Sequence, residues 1–201
     1  MRVLIIKTIL ILAILCGYLV VAPSAQAAKK NPALIKQIDS MFKTDQFWRK
    51  EFIKTQRKEK SIYSDEAIQS KWAEADRVNE LKAKDIIKKY GYPGYDLVGG
   101  SSNRFWAIVQ HCDDDVLFQE RVLALMKKGV EKNNADKENY ALLTDRVLVG
   151  KHQKQIYGTP VNVDPKTHKA TPFPLKDPKF VDKLRKKVGL EPLAAYLKSY
   201  E

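Results

Sequence analysis

Between two apolar runs, 105–109 and 116–118, the chain places Gln110, His111, Cys112, Asp113, Asp114 and Asp115 in succession. An amide, an imidazole, a thiol and three carboxylates seldom separate core-forming segments unless they cap something or bind something. Three chemistries suit this set. His111, Asp113 and Asp115 have the donor atoms for a hard or borderline cation. An aspartate beside His111 could fix the imidazole as a general base. Aspartates at a helix start also satisfy free N–H groups and favour the helix dipole, and Asp114 is the expected cap. Whether a metal binds stays open, because no second histidine lies at a ligand spacing.

Two further polar sets interrupt apolar surfaces. Ile68, Trp72, Ala75, Asn79, Ala83, Ile86 and Tyr90 recur at steps of three or four, so Asn79 falls in an apolar helix seam with Asp76 on its shoulder. A buried amide or carboxylate must find partners or cost a few kcal/mol. Asp145 and Arg146 continue the faces of Ala141/Leu148 and Leu142/Val149 and are drawn towards the core. Gln155, Tyr157, Gly158 and Thr159 follow on an expected strand. An arginine here either joins an internal ion pair or holds an oxyanion bidentately. Gly158 suits close approach of two backbones.

The elements that must position these groups are mostly helices. Asn31 and Pro32 form an N-cap and first position, followed by Leu34, Ile35, Ile38, Met41 and Phe42 at helical spacing. Phe47, Trp48, Phe52 and Ile53 predict a second, short amphipathic segment. Ser64 caps a long helix reaching residue 90, and the Gly-Tyr-Pro-Gly run at 91–94 stops it. Further helices are expected over 103–111, 113–132, 138–149, 179–187 and 192–200. The stretches 155–163 and 170–175 read as an extended pair around Asp164 and Pro165. The fold class is therefore mainly α: a single multi-helix domain with a small C-terminal β-hairpin.

The first 27 residues predict a signal peptide. Arg2 and Lys7 precede an uncharged apolar run over 8–22, then Pro23 and the small-x-small triplet 25–27, with cleavage before Ala28. The charge-free run is also long enough for an uncleaved anchor, which is the alternative. The protein is thus expected to be exported, periplasmic or secreted, with no transmembrane span after cleavage. Removal of Arg2 and Lys7 takes the formal charge from +12 to +10 and leaves Cys112 as the one cysteine. It is expected to be buried and inert, since it has no disulfide partner. Residues 28–63 read as an N-terminal helical extension and 64–201 as the main helical domain. Lysine-rich faces at 50–60, 82–89 and 183–187 are expected to be solvated, and a partner of the anionic lipid or glycan class would suit them. Export and the lack of a binding motif disfavour nucleic acid.

Several blocks together carry a resemblance. LKAKDIIKKYGYP (81–93), FWAIVQHCDDDVLF (105–118), LLTDRVLV (142–149), QIYGT (155–159) and GLEPLAAY (189–196) resemble a bacterial family known as a domain of unknown function. The resemblance covers about residues 65–200. It marks Trp106, Gln110, His111, Asp113, Asp115, Asp145, Arg146, Gln155, Tyr157, Gly158 and Thr159. Cys112 stands where the family has alanine, which argues against a thiol nucleophile. Pro160 stands where a glutamine is common. The resemblance implies no activity. Combined with the residue chemistry, it suggests one polar pocket for a small anionic ligand, with hydrolysis as a candidate reaction. His111 would be the base, Asp113 or Asp145 its orienter, and Arg146 an anion clamp. Asp76, Asn79, Gln110, Asp115, Gln155, Tyr157 and Thr159 would make ligand contacts. No cofactor is expected, and His152 and His168 fall in loops.

Overall fold

The computed structural model describes residues 30–200. The expected signal peptide lies outside them. Helices α1 (Pro32–Gln56), α2 (Asp65–Tyr90), α3 (Tyr95–Val98), α4 (Ser101–Val109), α5 (Val116–Glu131) and α6 (Lys137–Gly150) build the body. Strands β1 (Val161–Val163) and β2 (Ala170–Pro172) and helices α7 (Val181–Val188) and α8 (Leu193–Lys198) complete it. The architecture is mainly helical with one small antiparallel hairpin, as the patterning predicts. Among the described residues no helix is long and apolar enough to cross a membrane.

Helix α1 packs on α2 and α4, α2 also meets α4, and α5 pairs with α6. Their shared core includes Leu34, Ile38, Met41, Ile86, Phe105, Ile108, Phe118, Val122, Met126 and Leu143, all nearly inaccessible. Caps fall at Asn31 and Ser64, each accepting the backbone N–H three residues on. Cys112 is buried, and burial pushes its thiol up to about 12, so it is a poor nucleophile.

Five local expectations are corrected. The first helix is continuous to Gln56 rather than two pieces, because no glycine or proline interrupts 33–56. Its apolar stripe is interrupted chemically, by the buried Asp45, not structurally. Helix α4 starts at Ser101, before the expected Asn103, and its serine hydroxyls bond Asp39 and Tyr92 instead of capping. Helix α5 starts at Val116, with Asp115 and not Asp114 as its cap. The preceding turn, closed by Asp115 N–H to the Cys112 carbonyl, leaves Asp113 and Asp114 outside the helix.

The fourth concerns the stretch after α6. The hairpin ladder pairs only Val161 with Pro172, Asn162 with Thr171 and Val163 with Ala170. Gln155 keeps one isolated bridge to Leu175, but residues 156–159 are not a strand, because Asp145 captures the N–H groups of Ile156, Tyr157 and Thr159. The lysine-rich face at 183–187 also differs from expectation: Arg185 within it is completely buried.

Candidate functional site

A cleft of about 410 Å³ opens where four segments converge. Helix α1 supplies Arg49, α2 supplies Trp72, Asp76, Arg77 and Glu80, the α4–α5 turn supplies His111, Asp113 and Asp114, and α6 supplies Arg146. Asp76 and Glu80 share a face of α2 because they are four residues apart. His111 enters the cleft because α4 ends at Val109 and the chain turns sharply there.

Behind the cleft wall lies Asp45, only 1 % exposed. His111 Nδ1 lies 2.9 Å from Asp45 Oδ1, Arg49 Nε donates to the same oxygen at 3.1 Å, and Gln46 Nε2 donates to Oδ2 at 2.8 Å. Burial alone would raise this carboxyl. The His111 hydrogen bond and charge, joined by Arg49, outweigh burial and hold it below the usual carboxylate range. Asp45 is therefore ionised at neutral pH and can only accept. His111 Nδ1 must then carry the proton, which leaves the Nε2 lone pair available when the ring is neutral. The imidazole side chain is 18 % exposed.

Arg49 ties this pair to the cleft. Its Nη2 donates to Asp76 Oδ1 at 2.8 Å, and its guanidinium lies 4.8 Å from the centre of the Trp72 ring. Burial pushes the Asp76 carboxyl upward, against the pull of Arg49. On the opposite wall, Arg146 Nε donates to Asp113 Oδ1 at 2.8 Å and Nη2 to Asp113 Oδ2 at 3.1 Å. Gln119, itself buried, donates to Asp113 Oδ1 and to the carbonyls of Val109 and Gln110, fixing the turn that presents His111.

A family model, described as a family of unknown function (DUF6624), matches residues 32–201. The chain belongs to that family. No curated protein and no solved structure matches it. The DUF6624 match includes α1, so it takes in Asp45 and Arg49 together with the blocks that first drew attention.

Of the residues singled out in sequence, this DUF6624 chain brings Asp76, His111, Asp113 and Arg146 to one cleft. The rest lie elsewhere. Asn79 donates from the α1–α2 seam to the Met41 carbonyl. The Gln110 backbone carbonyl accepts from Gln119, and Asp115 caps α5 and pairs with Lys84 at 2.8 Å. Asp145, Gln155, Tyr157 and Thr159 form a separate junction. There the inaccessible Asp145 accepts from the N–H groups of Ile156, Tyr157 and Thr159 and from the Thr159 hydroxyl. Burial pushes Asp145 above its usual range, and these hydrogen bonds pull the other way. Gln155 Nε2 donates to the carbonyls of Pro160 and Phe173, and Arg185 Nη1 to that of Tyr157. Gly158 has φ +72°, and a Cβ there would come 2.9 Å from Leu193, so its role is backbone conformation plus side-chain packing.

The partner expected for His111 was Asp113 or Asp145, and it is Asp45. Asp113 is engaged by Arg146 and Asp145 by backbone N–H groups, so neither carboxylate is on the imidazole. Sequence reasoning also missed Arg49 and Arg185. Among the described residues no group of three or more His, Cys, Asp or Glu is arranged to hold a metal ion.

Proposed function

We propose that the cleft binds a small polar ligand bearing an anionic group and that His111, oriented by Asp45, moves a proton on it. Hydrolysis by a water activated at His111 Nε2 is the simplest such reaction. The observation that carries this reading is the 2.9 Å contact between a cleft-lining imidazole and a buried carboxylate held ionised. A histidine so held keeps one tautomer and one orientation, with Nε2 turned to the cleft as the proton acceptor. Arg49, Arg77 and Arg146 supply positive charge along a lining that also carries Asp76, Glu80, Asp113 and Asp114. The Cys112 thiol is too buried and too weakly acidic to serve as nucleophile, which favours water. From the N-terminal pattern we also infer export, which cell fractionation with mass determination of the mature N-terminus checks.

The test uses p-nitrophenyl acetate and p-nitrophenyl phosphate as chromogenic probes with the wild type, His111→Gln and Asp45→Asn. Turnover above the buffer rate should fall about 10²–10⁴-fold in His111→Gln, the usual range for a general base. Asp45→Asn should lose turnover too, with an altered pH profile. Equal turnover in all three proteins would overturn the acid–base role. Failure of acetate and phosphate to perturb the His111 ring resonances would overturn the binding site itself.

A further inference from the structure

The three arginines of the cleft are held very differently. Arg49 is locked by two aspartates and an aromatic face. Arg77 is exposed and makes no ion pair within 4 Å among the described residues. Arg146 alone presents the side-on fork of Nε and Nη2, and both oxygens of Asp113 fill it. That two-bond geometry is the one a guanidinium makes with any carboxylate or phosphate. Here it is filled from within the chain.

We propose that Arg146 is the anchor for the ligand's oxyanion, and that Asp113 sits in its fork as a built-in stand-in which the ligand displaces. The proposal rests on the cleft being a binding site. Three observations support exchange. The pair is solvated, with Arg146 at 35 % and Asp113 at 57 % exposure, and such pairs add little net stability. Asp113 belongs to the turn before α5 and not to the helix, so its side chain can leave without breaking a helical hydrogen bond. Gln119 Nε2 already donates to the same Asp113 oxygen at 3.2 Å, so the carboxylate keeps one donor when the guanidinium lets go. The ligand class is then an anion offering two oxygens to one guanidinium.

Removing a residue of the cleft should therefore tighten binding. The probes are acetate and inorganic phosphate, titrated separately at constant ionic strength into the purified protein, with affinities read from NMR chemical shifts. Asp113→Ala should lower the dissociation constant of at least one probe about tenfold or more, because the fork no longer has to be vacated. Asp114→Ala removes the same charge from the same lining without freeing Arg146. It should gain about threefold or less, the scale of one solvent-screened charge. Arg146→Ala should abolish binding, alone and combined with Asp113→Ala, whereas Arg77→Ala should weaken it only modestly. Asp113→Asn provides a second variant, should the alanine protein fold poorly. The probe that gains more identifies the ligand group as carboxylate or phosphate. Equal gains in Asp113→Ala and Asp114→Ala would reduce the effect to a field and overturn the proposal. So would wild-type affinity in Arg146→Ala. If the wild type binds and Asp113→Ala gains nothing, the stand-in fails while the cleft survives as a site. If no protein binds either probe, both fall.

Discussion

Asp45 and Asp145 are both buried carboxylates on helices, each meeting several hydrogen-bond donors. Asp145 takes its hydrogen bonds from three backbone N–H groups and a hydroxyl of one short loop, with no cation within ion-pair distance among the described residues. Asp45 takes its bonds from His111, Arg49 and Gln46, and two of those three line the cleft. The first arrangement closes on itself: it fixes where the chain goes after α6. The second leaves a ring nitrogen beyond the contact, facing space a ligand can enter. Polar clusters of similar composition thus divide by where their unused valences point. The junction has loose ends, Gln155 Oε1 and Arg185 Nη2, but both are buried without a partner among the described residues and neither lines the cleft.

The comparison can be broken by substitution. Asp145→Ala should cost most, about 3–5 kcal/mol in a denaturant melt, because buried N–H groups lose their acceptor together. A loss under 1 kcal/mol would show that the loop satisfies itself otherwise. Asp45→Ala should cost less, about 1–3 kcal/mol, since Arg49 retains Asp76 and His111 can reach solvent. Arg146→Ala should change stability by under about 1 kcal/mol, as expected for an exposed pair. A larger loss would make Arg146 a structural residue and not a ligand anchor.

Acid titration sharpens the contrast, because the two aspartates shift in opposite directions. Asp45 is held low, so its stabilisation is complete above about pH 4, the unfolded carboxylate value. It is lost as pH falls through the folded value. Asp145 is held high, so the folded chain takes up its proton first. Its contribution is then largest below about pH 4 and declines as pH rises through its folded value. Asp45→Asn should flatten the acid limb of stability against pH. Asp145→Asn should leave that limb in place and alter the slope above it. Matching effects on the acid limb would contradict the difference between the two sites.

How much of this was legible depended on what surrounded each residue. Asn79 and Asp145 stood out as polar residues at core positions of clear stripes, and both are buried. Asp45 obeys the same rule, since it continues Leu34, Ile38 and Met41, all buried on α1. It is hidden because the aromatic residues that follow shift to a neighbouring flank, a pattern that predicts a break in the helix. Arg185 was hidden among lysines, although Val181 and Leu184 beside it trace an inward face. The hairpin is legible but shorter than its alternation predicts, because alternation does not reveal that the Asp145 carboxylate claims the N–H groups of Ile156, Tyr157 and Thr159. Helix α5 was started too early for a similar reason. Three consecutive aspartates offer three caps; Arg146 takes Asp113, and the tertiary pairing of Asp115 with Lys84 goes with the cap at Asp115.

The His111–Asp45 contact joins residues 66 apart in sequence. Nothing local keeps them together; α1 must be seated on α2 and α4 for the imidazole to feel that carboxylate. The hydrogen bond at its Nδ1 is therefore a gauge of docking. A population in which α1 has swung away would lose the downfield Nδ1–H resonance of that bond, in slow or fast exchange with the seated form. One imidazole signal thereby reports the integrity of a long-range helix contact, with or without a ligand in the cleft.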